Sequence, residues 1–351
     1  MDEILFLCGH LSDRLRESVA AIAADLPKKL GIRFSEEPVR AGTGGALFHA
    51  RAMLDERFLL CNGDSFFDTN LATLLAAGLP DDALARMVVR AVPDTSRFGL
   101  VTLDGDNVSE FAERGGAHAG LINAGIYLLD RRIVAETTEI CSLERDVLPR
   151  LAQAGKVRAT TGAGYFIDIG IPDDLHRAAG ELPALLKRRA LFLDRDGTIN
   201  IDYGWVGSRR RWEFVAGAID TIRMATEAGW HVFIVTNQSG IARGYYDVSD
   251  AEDLHAWVGD VVRQHGGTID DVRIAPHHPN AIRPEFRGDS DWRKPKPGML
   301  NDLLRAWRLD PRRCVLIGDQ TTDIEAAEAA GMPGYRFTGG NLADFVAPLL
   351  K

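Results

Sequence analysis

The sequence is poor in every feature that would place the protein outside a reducing, aqueous compartment. It carries four cysteines in 351 residues, Cys8, Cys61, Cys141 and Cys314, and no C-x-x-C pair. That excludes a disulfide scaffold or a dithiol redox centre and leaves buried, reduced thiols. No uncharged apolar run reaches the ~18 residues that a membrane helix needs, so no membrane partner is expected. Met1-Asp2-Glu3 opens the chain without the basic stretch of a secretory signal, and a cytoplasmic location is the expectation. Positive charge is also short. Lys and Arg number 41 against 50 Asp and Glu, a net charge of -9. A nucleic-acid partner demands basic surface and is not expected. A phosphorylated small molecule needs only local positive charge and stays open. What is present suits a globular protein: 46% hydrophobic and 26% charged residues supply a large core, and the length fits two domains.

The most informative stretch is Leu191-Phe192-Leu193-Asp194-Arg195-Asp196-Gly197-Thr198. Ala190 to Leu193 reads as a short buried strand. Two carboxylates one residue apart follow, then a glycine that lets the chain turn away. Side chains two apart leave a strand on the same side. Asp194 and Asp196 can therefore address one point at the carboxyl end of a sheet, where open α/β folds bind ligands. Like charges that close need a cation or proton between them, and a hard divalent ion, most simply Mg²⁺, is the economical occupant. A polar turn after a strand looks the same, so the octet alone leaves both readings open.

The chain after Asp194 repeats the strand–turn–helix pattern. His231 to Thr236 reads as a strand ending in Thr236-Asn237-Gln238-Ser239-Gly240, and Val272 to Ala275 as another. A long loop from Pro276 to Pro297 contains Arg293-Lys294-Pro295. Cys314 to Ile317 is a strand ending in Gly318-Asp319. This predicts a doubly wound α/β sheet with polar clusters at its strand ends. Together they make a kit for phosphoryl transfer. Asp194 can attack phosphorus, and Asp196 can protonate the leaving oxygen and later activate water. Thr236, nearby backbone N–H groups and Lys294 can bind phosphate oxygens. Asp319 can complete a metal site, with Asp323 supporting it from the next helix.

These residues, with Arg243-Gly244, resemble the haloacid dehalogenase superfamily. The finer likeness is to D-glycero-D-manno-heptose 1,7-bisphosphate 7-phosphatases, with histidinol-phosphate phosphatases as near relatives, over residues 188 to 351. The resemblance implies a Rossmannoid fold without a large cap, with Asp194 as nucleophile and Asp196 as acid/base. It puts phosphate contacts at Thr236 and Lys294, and Mg²⁺ on Asp194, the Asp196 backbone and Asp319. Substrate contacts fall on Asp202, Tyr203, Gly204, Trp205, Asn237, Gln238, Ser239 and Arg293. One departure is sharp. Relatives hold a zinc ion with a C-x-H and a C-x-C around the long loop, and here those places read Ala275-Pro276-His277 and Ser290-Asp291-Trp292. A tetrahedral zinc needs four ligands, so zinc is not expected. Trp292 is expected instead to anchor the loop by burying its ring, worth ~2 kcal/mol. Arg209-Arg210-Arg211 reads as a solvated charge run or as a clamp for a second phosphate.

The first half also alternates strands and helices, which predicts a parallel sheet with crossovers. Gly42-Thr43-Gly44-Gly45-Ala46 precedes a helical run, where free N–H groups suit an anion; a tight turn reads the same way. Asp64 and Asp168 each follow a short apolar run and can share a metal, although each alone is an ordinary turn-former. With Glu37-Pro38, Asn62-Gly63-Asp64, Asn123 to Tyr127, Ser142 to Asp146 and Phe166 to Gly170, this half resembles sugar-1-phosphate nucleotidyltransferases of the heptose-1-phosphate guanylyltransferase type. The resemblance implies Mg²⁺ on Asp64 and Asp168, a sugar site at Asn123 and Glu144, and a nucleotide beside Gly42, Thr43 and Gly44. That family opens with a strand, a Gly-rich loop bearing Arg, and a downstream Lys. None of this precedes Asp2, and Lys28-Lys29 is a weak substitute. An incomplete, inactive nucleotidyltransferase fold is expected, with self-association through exposed apolar sheet surface. A late-set start, a degenerate binding module and an intact transferase remain as readings.

The combined expectation is two doubly wound α/β domains, 1–187 and 188–351. The second would be an Mg²⁺-dependent sugar phosphatase in nucleotide-activated heptose synthesis, working through an aspartyl-phosphate. The alternative is histidinol-phosphate hydrolysis beside a scaffolding first half.

Overall fold

Apolar runs in the first half become strands, but not of the parallel sheet that their spacing predicts. The computed structural model describes residues 3–26, 29–96, 98–112 and 118–350; Lys28 lies outside them. Strands β1 (Glu3–Cys8) and β2 (Gly31–Glu36) pair in parallel as a sheet of two. Then come β3 (Arg57–Cys61), β4 (Ser65–Phe67), β5 (Ala85–Val92), β6 (Leu100–Asp104), β7 (Asn107–Ala112), β8 (Gly120–Asp130), β9 (Val157–Gly162) and β10 (Phe166–Asp168). Six of these form one mixed sheet in the order β3-β8-β5-β9-β7-β6. Within it only β5 and β9 run in parallel. The physical reason is local. Gly105, with φ 62°, turns the chain back directly after Asp104, and so short a turn leaves no room for a crossover helix. Leu47, Met87, Tyr127, Leu129 and Leu148 fill the core under this sheet.

The glycine run is not a loop. The helix Gly42–Ala50 starts at Gly42 itself. Its first turn is pressed against residues 139–143: a Cβ on Gly44 would lie 2.6 Å from Cys141 Sγ, and one on Gly45 2.6 Å from the Glu139 carbonyl. The N–H groups of Gly44 and Gly45 donate to the Cys141 carbonyl at 3.0 and 3.1 Å. Two donors expected to meet an anion are therefore satisfied within the protein.

The second half folds as its pattern predicts. Strands β11 (Ala190–Leu193), β12 (His231–Asn237), β13 (Asp271–Ala275), β14 (Cys314–Gly318) and β15 (Gly334–Arg336) form a sheet in the order β13-β12-β11-β14-β15. Every pairing is parallel. Period-two alternation sorts the residues. Leu191, Leu193, Val232 and Ile234 pack with the helices Ala218–Glu227 and Val248–Gln264 on one face. Phe192, Phe233 and Leu316 pack with Gly298–Ala306 and Thr321–Ala329 on the other. With both faces covered, β11 is entirely buried, as a parallel strand requires.

Contacts divide the chain into two units, Met1–Thr69 with Ala77–Ala178, and Asn70–Ala76 with Ala179–Lys351. The division falls inside the helix Pro172–Leu185, ahead of the expected 187/188. No helix among the described residues is long and apolar enough to cross a membrane.

Phe233 is fully buried, with ring centroids 5.0 Å from Phe192 and 5.3 Å from Trp307. Phe233→Ala should destabilise the second unit by about 3–5 kcal/mol, read as a lower midpoint in urea unfolding.

Candidate active site

β11 delivers Asp194 to the rim. The Asp194 N–H still donates to Ile317 of β14 at 2.9 Å, so its backbone is held by the sheet while its side chain leaves the strand end. The turn that follows depends on Gly197. Its φ is 84°, and a Cβ there would sit 2.5 Å from Asp319 Oδ2. Only glycine suits that backbone and that approach.

Lys294 is 3% exposed. Its ammonium lies 2.5 Å from Asp194 Oδ1, 2.5 Å from Asp323 Oδ1 and 2.8 Å from the Val235 carbonyl. Burial alone would lower its pKa, but the two carboxylates outweigh burial and raise it. Burial pushes the Asp194 carboxyl up to about 7, against the pull of Lys294. Asp319 is also raised, again chiefly by burial. Asp194, Asp319 and Asp323 offer oxygens within 4.8 Å of one another, and Asp319 Oδ1 is buried with no hydrogen-bond partner. Two carboxylates thus share one ammonium, and a third carboxylate beside them keeps a buried oxygen without a partner. A hard divalent cation fits that donor set. It would restore the ionised form of Asp194 that nucleophilic attack needs.

Asp196 is held separately. Arg195, wholly buried, donates to both its oxygens at 2.8–3.1 Å. Asn200 donates to Oδ1 at 3.0 Å and Gln238 to Oδ2 at 2.7 Å. One cleft of about 370 Å³ gathers Asp194, Asp196, Thr236, Lys294 and Asp319. Asp202, Gly204 and Trp205 join it from one loop, and Asn237, Gln238 and Ser239 from the turn after β12. Two expected substrate contacts are not among its lining residues. Tyr203 is exposed and its hydroxyl donates to Glu213. Arg293 lies with Arg243, whose nearby charge adds to burial in lowering the Arg293 guanidinium.

Similarity to known proteins agrees with this geometry. A family model described as HAD-hyrolase-like matches residues 291–343. The D-glycero-beta-D-manno-heptose-1,7-bisphosphate 7-phosphatase of Rhodopseudomonas palustris is 45% identical over 164 residues, 47% of this chain and 91% of that protein. The chain belongs to the haloacid dehalogenase-like phosphatases. Two solved structures are similar to separate parts of it. D,D-heptose 1.7-bisphosphate phosphatase from B. bronchiseptica, complexed with magnesium and phosphate, is 33% identical over 45% of this chain and 86% of its own, with a TM-score of 0.40. HddC from Yersinia pseudotuberculosis is 28% identical over 52% of this chain and 79% of its own, with a TM-score of 0.46.

The phosphatase unit corrects two expectations. Trp292 is not buried: the residue is 37% exposed. The long loop is held instead by Phe286, whose ring meets His277 edge-on at 5.7 Å and packs by Ile241 and Tyr246. Arg287 also donates to the Ala281 carbonyl at 3.0 Å. Ala275 is a core residue without a donor atom and cannot ligate a metal. The Arg209–Arg211 run forms no clamp: Arg209 lies over Trp257, Arg211 donates to the Tyr203 carbonyl, and none of the three lines the cleft.

In the first unit, β4 and β10 pair so that Ser65 faces Asp168. The Ser65 hydroxyl sits 3.4 Å from both Asp64 Oδ1 and Asp168 Oδ2. Thr43 donates to Glu144 at 2.5 Å, Tyr127 to Glu144 at 3.2 Å, and Asn123 to the Tyr127 hydroxyl at 2.5 Å. Burial pushes the Tyr127 phenol well above its usual range. Sequence reasoning gave no role to Tyr127, Arg195 and Tyr246, because which way each side chain turns, and so which nearby group it meets, is set by the folded backbone.

Lys294→Met would leave the carboxylates of the site without their ammonium. We expect about 3–5 kcal/mol loss of stability in the second unit. Millimolar Mg²⁺ should raise the Tm of the variant more than that of the parent, measured by scanning calorimetry.

Proposed function

We propose that residues 188–351 hydrolyse the 7-phosphate of D-glycero-beta-D-manno-heptose 1,7-bisphosphate. The observation that carries this reading is the cluster of Asp194, Asp319 and Asp323, two of them paired with Lys294, on a chain that covers nine-tenths of a relative bearing that name. An Asp194 oxygen attacks phosphorus. The bond from phosphorus to the sugar oxygen breaks, its electron pair stays on that oxygen, and Asp196 gives it a proton. A water oxygen then attacks the aspartyl-phosphate, its proton returns to Asp196, and the bond from phosphorus to Asp194 breaks to release phosphate. The Thr236 hydroxyl holds a phosphate oxygen through both steps, beside the positive charge of Lys294. Asp194, Asp319 and the Asp196 backbone carbonyl would hold Mg²⁺, which supplies charge neutralisation.

Arg243 and Arg293 favour a bisphosphate over a monophosphate. Both are half-buried. Among the described residues no carboxylate pairs with either, and Arg243 Nε is buried without a partner. Two guanidiniums without a carboxylate partner suit a second phosphate. Removal of the 7-phosphate leaves a sugar 1-phosphate, the substrate class of nucleotidyltransferases. For residues 1–187 we propose a nucleotidyltransferase-like unit in which Asp64 and Asp168 hold Mg²⁺ and the Asn123–Tyr127–Glu144–Thr43 chain lines a sugar site. Transferase activity is not expected of it. A cytoplasmic location and self-association through this unit complete the reading.

Phosphate release should be faster from heptose bisphosphate than from histidinol phosphate, be abolished by EDTA and restored by Mg²⁺, and vanish in Asp194→Asn. A preference for histidinol phosphate would overturn the substrate. Arg243→Gln and Arg293→Gln should each raise KM for the bisphosphate about tenfold, the weight of one charged hydrogen bond at roughly 1.4 kcal/mol. They should leave KM for p-nitrophenyl phosphate nearly unchanged.

A further inference from the structure

We propose that Tyr246 is a positioning residue for this reaction, acting through Gln238 to hold the Asp196 carboxyl and the Thr236 hydroxyl in register. The proposal rests on the phosphatase reading above and adds a cleft-lining residue to which that reading gives no part in holding phosphate or metal.

Gln238 was expected to contact substrate, but its side chain is fully engaged within the protein. It is 2% exposed. Its Nε2 donates to Asp196 Oδ2 at 2.7 Å and to Thr236 Oγ1 at 2.7 Å. Both amide hydrogens are thereby spent on the acid/base and on a phosphate-binding hydroxyl. The amide does this only while its oxygen points the other way, because a flip would set Oε1 against the Asp196 carboxylate. The partner that receives that oxygen is the Tyr246 hydroxyl, which donates to Oε1 at 2.5 Å. Burial pushes the Tyr246 phenol up to about 12, against the pull of Arg195, so it remains a donor throughout the neutral range.

The ring is seated as firmly as the hydroxyl. Gly207 lies against the Cγ–Cδ1 end of the ring and Gly240 against its Cε1–Cζ end, so close that a Cβ at either position would overlap the ring atoms. Gly207 belongs to the loop that carries Asp202 to Trp205 into the cleft, and Gly240 to the turn after Thr236. One buried side chain thus ties together the two loops that line the cleft and orients the amide between them. Without the hydroxyl, Gln238 Oε1 would be a buried carbonyl without a partner, a penalty of about 1–3 kcal/mol. The amide relieves that penalty by rotating away from Asp196 and Thr236.

Tyr246→Phe tests this, because the ring and its seat remain. General acid catalysis contributes typically ~10²–10⁴-fold, and a misplaced Asp196 forfeits part of it. On heptose bisphosphate we expect kcat to fall about tenfold with KM within about twofold. On p-nitrophenyl phosphate, whose leaving group departs without a proton, the loss should be several-fold smaller. The double variant with Gln238→Leu should be no slower than Gln238→Leu alone, as two residues acting through one contact are not additive. Equal losses on both substrates with an unchanged Tm, or fully multiplicative effects in the double variant, would overturn the proposal. A parent protein inactive on both substrates would overturn the phosphatase reading itself.

Discussion

The active site depends on one buried ammonium shared between carboxylates. Lys294 spends all three of its protons on Asp194, Asp323 and the Val235 carbonyl. Burying three charges is costly unless each is hydrogen-bonded. The parallel sheet makes that possible by bringing β11, β12 and β14 to a common rim. Asp194 comes from the end of β11, the accepting carbonyl from within β12, and Asp323 from the helix after β14. Two carboxylates against one ammonium leave a negative balance even before Asp319 is counted. A dianionic phosphate cannot enter such a place unaided. The same charge deficit that makes the site need a cation therefore also makes substrate binding depend on one.

Close approach of backbone is the second constraint. Asp319 reaches the turn after Asp194 because Gly197 has no side chain, and Asp323 lies against Gly318 for the same reason. A Cβ on Gly318 would overlap the Asp323 carboxyl, whose position fixes Lys294. Both glycines come directly beside cleft-lining carboxylates in sequence. The glycine is therefore a condition of the carboxylate's position, and the pairing of the two residue types is what the eye finds in the bare chain.

That explains how far the sequence could be read. The second sheet was legible because its strands are short, apolar and buried on both faces, and because each ends in a polar residue that the parallel geometry aims at one rim. Asp194, Asp196, Thr236, Lys294 and Asp319 could be found from such local signals. The first sheet was misread because the hairpin at Gly105 reverses the chain where alternation alone suggests a crossover. The glycines at 42–45 were misread because their small size serves packing against residues a hundred positions away. Trp292 was assigned to a core that Phe286 fills instead. Arg195 and Tyr246 had no local mark at all. Their roles exist only in contacts with residues fixed by the fold.

The loop that carries Lys294 shows why those misreadings did not reach the chemistry. Its outer part is fastened by an aromatic contact and by hydrogen bonds to main-chain carbonyls. The lysine itself is placed from the other side. Asn237, at the end of β12, accepts the Lys294 N–H at 3.0 Å and donates to the Lys294 carbonyl at 3.1 Å. This two-point grip sets the backbone of residue 294 from the sheet, independently of how the remainder of the loop is secured. A change in the outer fastening can then alter the loop around Arg293 while the ammonium stays beside Asp194. The outer loop and the lysine are thereby mounted on different supports, so that one can shift without displacing the other.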